Sequence, residues 1–193
     1  MIFTLPDGDA TPGTKPSISP VTMNKTFTIA SYRSGNTGLD DTTDNSDNCP
    51  YVYLYDATHL DAVRGAGGDY DCDIAAFVVS FNASGNERVA WRNITNVGNS
   101  SPDDIDISSD PVDIDVAIPW TILCTPRNTF TDGVNQFCIN DSMVSATIIA
   151  DGDTLRLEHN PYDSETDVNV AWEVIEWEIT SAEPTARRII VIT

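Results

Sequence analysis

The run Val168 to Trp177, VNVAWEVIEW, places Val170, Trp172 and Val174 on one face of an extended chain and Ile175 and Trp177 on the other. An earlier run, DIAAFVVSF from Asp73 to Phe81, has the same design, with Ile74, Ala76 and Val78 opposed to Phe77, Val79 and Phe81. Setting Trp177 on Phe81, a shift of 96, puts Val170 on Ile74, Val174 on Val78 and Ile175 on Val79. Each run starts half-buried and ends apolar on both faces, which predicts a central or inter-sheet strand. Two copies of one pattern predict an internal repeat.

The segments before each run follow the same order. Met23 to Tyr32 alternates as a strand and is matched by Val112 to Trp120 at a shift of 89, with Ile107 on Ile18. YVYLYDATHLDAV reads as two strands around a turn at Asp56-Ala57-Thr58. Ser145 to Leu155 matches Pro50 to Leu60 at a shift of 95, so the length differences fall in loops. An Arg-led apolar segment follows each copy, Arg88-Val-Ala-Trp91 and then Arg188-Ile-Ile-Val191. The N-terminus contributes a short apolar strand and a Pro/Gly/Asp turn region before residue 20.

No 3.6-residue periodicity stands out, and turn signals recur at roughly 8 to 12 residues. The expected fold is all-β: two tandem antiparallel β-sandwich repeats, immunoglobulin-like or jelly-roll-like, over residues 1–90 and 91–186. Residues 187–193 form a separate C-terminal strand. Within it Ile189 and Val191 face one way and Ile190 and Ile192 the other, an apolar edge suited to donation to a neighbouring subunit.

The net charge of -20 over 193 residues argues against nucleic acid and anionic membranes as partners. No apolar run reaches the ~20 residues that span a bilayer, so no membrane insertion is expected. The start, Met1-Ile-Phe-Thr-Leu, lacks the basic and apolar parts of a signal peptide. The expectation is a mature terminus or an export route that the sequence does not display.

Cys49, Cys72, Cys124 and Cys138 contain no C-x-x-C pair, and they sit two per repeat. Disulfides in an oxidising compartment are expected, with Cys49–Cys72 and Cys124–Cys138 favoured among three pairings. Five sequons, at Asn24, Asn82, Asn93, Asn99 and Asn140, fit glycosylation outside the cell.

The succession of strands, carried by DATHL with IAAFVVSF and by DGDTL with VNVAWEVIEW, resembles tandem β-sandwich modules of secreted, cell-surface and viral fibre proteins. The closing strand with Trp172 is also similar to that of H-type lectin sandwiches, a likeness that implies sugar binding. DNSDNCP, Asp44 to Pro50, resembles the end of a thrombospondin type 3 calcium repeat, with GNTGLDD standing where that family has D-x-D-x-D-G.

Catalytic machinery is not evident: His59 and His159 each lie in or beside a turn, and no G-x-S-x-G motif occurs. Calcium is the one candidate cofactor. Asp40, Asp41, Asp44 and Asp47 crowd hard oxygen ligands into one loop, and Asp7-Gly-Asp9 and Asp151-Gly-Asp153 are further candidates that also read as turns. The run Asp103 to Val116 alternates Asp with Ile or Val, as strands with a solvated acidic face would, or as a surface that meets basic groups of a neighbour. Tyr51, Tyr53, Tyr55 and Tyr70 with Trp91 form either a sugar-stacking platform or ordinary cross-strand packing, the latter favoured.

The function expected from these features is that of an extracellular or cell-surface structural subunit, not an enzyme, polymerising with copies of itself into a filament, sheath or surface layer. Arg187, Arg188, Ile189, Ile190, Val191 and Ile192 would make the subunit contact. The alternative is a carbohydrate-binding adhesin or a viral or phage fibre module on a virion surface, with glycans as partners.

Overall fold

The computed structural model describes residues 1–6, 11–34, 50–64, 71–98, 102–126, 144–149, 152–159 and 168–177. Eleven strands occur there: β1 (Ile2–Leu5), β2 (Thr26–Ser34), β3 (Tyr51–Asp56), β4 (His59–Val63), β5 (Cys72–Ser80), β6 (Arg88–Val97), β7 (Asp103–Asp106), β8 (Ala117–Pro126), β9 (Val144–Ile149), β10 (Thr154–His159) and β11 (Val168–Glu176). Among the described residues there is no α-helix, and a 3-10 turn forms at Met23–Lys25, so the fold is all-β. Every strand pairing is antiparallel.

The two apolar runs are the middle strands of two three-stranded sheets, β1-β5-β2 and β6-β11-β8. Two further sheets, the β3-β4 hairpin and β7-β10-β9, accompany them. One face of β5 (Ile74, Ala76) shares a core with Leu5, Val52, Leu54, Leu60 and Ala62. One face of β11 (Val170, Trp172, Val174) shares a second core with Val97, Ile107, Leu155 and Leu157. Each fully buried aliphatic side chain contributes on the order of 2 kcal/mol, so the period-2 pattern holds both strands in register.

Hydrogen bonds correspond between the halves. Phe81 N–H donates to Lys25 O (2.7 Å) and Trp177 N–H to Val116 O (3.1 Å). Ile18 N–H donates to Thr58 O and Ile107 N–H to Asp153 O, both at 2.8 Å. Val21 N–H reaches Ala57 O (2.9 Å), and Val112 N–H reaches Gly152 O (3.2 Å).

The strand expected over Val112 to Trp120 is displaced. β8 starts at Ala117, because Asp113 O accepts from Val116 N–H (3.1 Å) and Ala117 N–H (2.8 Å), while Asp113 Oδ1 accepts from Asp115 N–H (3.0 Å). These local bonds close a turn that outcompetes the alternating pattern. Register on the middle strands pairs Thr26 with Ser80 and Ala117 with Glu176, so the shift is 91 here, not 89. The extra residues lie in the turn at Ser108–Asp110, between Ile107 and Val112. Residue 90, the expected boundary, falls inside β6.

The turn at Ala57-Thr58 forms where the sequence placed it. Asp56 Oδ1 accepts from Thr58 N–H (2.7 Å) and from Thr58 Oγ1 (2.9 Å). Those bonds hold the Asp56 carboxyl down at about 2, the Thr58 backbone N–H being the main cause.

Candidate functional site

The outer edge of β2 is where the two halves of the chain meet. Ala76 exchanges backbone bonds with Met1 at 2.8 Å, so on its other side it lies in a non-bonded pair with Ala30. Alternation then turns the backbone groups of Thr26, Thr28 and Ala30 away from β5, toward the β6-β11-β8 sheet. There an ion pair takes the place of a further strand. Glu173 of β11 accepts from Thr28 N–H at 3.3 Å and pairs with Arg92 of β6 at 3.0 Å. Arg92 donates to Thr26 O and, at 3.1 Å, to Met23 O.

Glu173 is 2% exposed. Burial pushes its carboxyl up to about 7, against the pull of the Arg92 guanidinium and the Thr28 N–H. Burial also lowers the Arg92 pKa, with Glu173 opposing. Both groups lose hydration, and they are held by each other and by the β2 edge. The sequence carries one signal of this clamp: Glu173 is an isolated acid between Trp172 and Val174, in a strand that is otherwise apolar on both faces at that point.

Around this clamp the same face of the β6-β11-β8 sheet is covered. Ala171, Ile94 and Trp120 join the core of the first half. Ile175 packs with Phe27 and Val89, flanked by Phe81 and Trp177, whose rings lie 5.0 Å apart and nearly perpendicular. On the matching face of the β1-β5-β2 sheet, Phe27 and Val79 join that cluster, but the rest is uncovered: Ile2 is 78%, Phe77 62% and Ile29 38% exposed.

A second polar cluster sits on the β3-β4 hairpin. Asp61, 3% exposed, receives Lys15 Nζ at 2.6 Å and the Tyr53 hydroxyl at 3.0 Å. Burial, then the Asp61 charge, raises the Tyr53 pKa. Tyr51, Tyr53 and Tyr55 stand in a row with ring centroids 6.0 and 6.5 Å apart, and Lys15 lies over Tyr55. Of the three, Tyr55 is the exposed one. Trp91 does not join them. It packs in the other core, and its Nε1 donates to Asp110 O at 2.8 Å.

Asp40, Asp41, Asp44, Asp47, Cys49, Tyr70, Cys138, Asn99, Asn140 and Arg187 to Ile192 lie outside the described residues. The Cys72 side chain is buried in the first core, and the backbone of Cys124 pairs with Val170. Asn24, Asn82 and Asn93 are exposed. Asn82 Oδ1 accepts from Ser84 N–H (3.1 Å) and Ser84 Oγ (3.0 Å). His59 Nδ1 lies 3.0 Å from Asp56 Oδ1. The acidic run is partly neutralised within the chain, Asp104 by Arg156 (2.8 and 2.9 Å) and Asp110 by Arg88 (2.8 and 3.1 Å). Among the described residues no group of three His, Cys, Asp or Glu could hold a metal ion, and no helix is long and apolar enough to cross a membrane.

No family model matches the chain, and no match is found among curated proteins or solved structures.

Proposed function

We propose that the protein is an extracellular or cell-surface structural subunit, built from two copies of one β-sandwich unit, that assembles with copies of itself into a filament, sheath or surface layer. The observation that carries this reading is the uncovered apolar face formed by Ile2, Ile29 and Phe77. Contiguous apolar side chains of this size on a sheet face mark an interaction surface. The residues at the same positions of the other sheet are packed away. In this reading β6 belongs wholly to the second unit, so the boundary lies in the turn before Arg88 rather than at residue 90.

Strand donation fits the same arrangement. β6 begins Arg88-Val-Ala-Trp91 and pairs with Glu176, Ile175 and Val174 of β11. Arg188-Ile-Ile-Val191 resembles that start of β6, and in another copy it would add to a sheet in the same manner. Calcium in the Asp40 to Asp47 loop and glycans at the exposed sequons belong to this reading as further proposals.

The test is electron microscopy and sedimentation of the purified protein over rising concentration, with a parallel glycan array. Ordered polymers that disappear when residues 187–193 are deleted from a chain that still folds support the reading. Monomers at every concentration overturn it, and monomers retained on the array establish the adhesin instead.

A further inference from the structure

We propose that copies of this chain stack head to tail by repeating, between molecules, the packing that joins the two halves within one molecule. The inference rests on the self-assembling reading above and names the two surfaces that meet.

The donor surface follows from register. On β5, Ala75 pairs with Ile2, Phe77 with Ile29 and Val79 with Phe27. On β11, Ala171 pairs with Ile94, Glu173 with Trp120 and Ile175 with Ile118. Ile2, Phe77 and Ile29 therefore occupy the positions of Ile94, Glu173 and Trp120. The second set is packed on the first half of the chain, and the first set is exposed.

The receiving surface follows in the same way. In the first half it includes, beside β3, which also meets β8 and β11, Met23, the outward backbone of Thr26 and Thr28, and Phe27. At the shift of 91 that sets Ala117 on Thr26, these positions become Ile114, Ala117, Pro119 and Ile118. Met23 is half-buried under Arg92 and Phe27 is 6% exposed, whereas Ile114 is 54% and Ile118 46% exposed. Five of the exposed large apolar side chains thus stand where their counterparts are covered.

The polar chemistry changes consistently on both surfaces. Within the chain, a carboxylate, Glu173, meets a backbone donor, Thr28 N–H. Between chains, Phe77 would stand at the position of Glu173 and Pro119 at that of Thr28. Proline offers no N–H, and phenylalanine needs none, so the contact leaves no buried donor unsatisfied. The two surfaces differ, so the association is heterologous and does not close on itself by two-fold symmetry; an open polymer is its natural product.

Paired cysteines test the contact. Ile175 and Phe27 pack side chain to side chain within the chain, so in a Val79→Cys, Ile118→Cys double variant, which places cysteines at the matching positions, oxidation during assembly should give a ladder of disulfide-linked species extending beyond the dimer. Each single variant, and the parent chain with its own four cysteines, should give none. Phe77→Asp and Ile114→Asp alter exposed side chains and should fold normally by circular dichroism. Each should raise the concentration needed for polymerisation at least about tenfold, as removal of a central apolar anchor does. Ala83→Asp, in the exposed turn before β6, should leave it unchanged. If both Asp variants polymerise like the wild type, the polymer uses other surfaces, and this inference falls while self-assembly stands. If the wild type itself stays monomeric, both fall.

Discussion

The Glu173 carboxylate accepts the Thr28 N–H at 3.3 Å across 145 positions of sequence, and in doing so caps the edge of β2. Such an edge ordinarily invites another strand. Here the neighbouring sheet supplies an acceptor from Glu173 and donors from Arg92, so the edge is satisfied without being extended.

Glu173→Ala should destabilise the protein by about 3 kcal/mol at neutral pH, because Arg92 would be left without its carboxylate in a mostly buried position. The pH dependence runs the other way from that of a surface acid. The carboxyl titrates at about 7 when folded and near 4.5 when unfolded, so folding favours its protonated form. That contribution is fully present below about 4.5 and is lost as the pH rises through about 7. Urea denaturation of the wild type and Glu173→Gln from about pH 4 to pH 8 reads it as the difference between them. The wild type should lose ground to the variant across this window; a difference that stays flat would falsify the titration.

Gly152 has φ of +89°, and a Cβ there would lie 1.9 Å from Val112 O. Gly152→Ala combines left-handed strain with a clash against backbone, so a loss of at least about 2 kcal/mol is expected. Gly13→Ala, with nothing within 4 Å of its Cβ, should stay within about 0.5 kcal/mol of the wild type. Equal losses at the two positions, measured by urea denaturation, would remove this account of the Val112–Gly152 contact.

Trp172 is 2% exposed, and its Nε1 donates to Thr95 Oγ1 at 2.8 Å. Trp172→Ala should cost about 3–5 kcal/mol through the cavity it leaves. Trp172→Phe keeps most of the apolar volume but loses the hydrogen bond, for about 1–2 kcal/mol. Thermal and urea midpoints rank the two, and a Phe variant as unstable as the Ala variant would show that the cavity term is not the larger one.

Asp56→Ala removes the acceptor that closes the β3–β4 turn. Because the folded pKa is depressed from 3.8 to about 2, the stabilisation is present above 3.8 and is lost as the pH falls through about 2. The melting temperature of Asp56→Ala should therefore lie below that of the wild type at pH 5, and the gap should narrow as acid is added. A gap that persists below pH 2 would assign the effect to something other than this carboxylate.

The alternation of Ile74, Ala76 and Val78 against Phe77 and Val79, and of Val170, Trp172 and Val174 against Ile175, determined by itself that these runs are strands and which residues share a face. Period-2 patterning is local, so it survives without knowledge of neighbours. The Asp56-Ala57-Thr58 turn was legible for the same reason, since its hydrogen bonds span two residues. The start of β8 was not, because the Asp113 turn competes with an alternating pattern that points to a strand.

Only the tertiary structure decided which apolar face is covered. Phe77 and Ile175 both look like core residues in the sequence, yet Phe77 is 62% exposed and Ile175 2%. What lies over a sheet face comes from segments far away in the chain, and the pattern within a strand carries no information about them. Glu173 is buried on the same account: as an acid it belongs to the surface, and it is held inside by Arg92 and by a backbone edge contributed from 145 positions away.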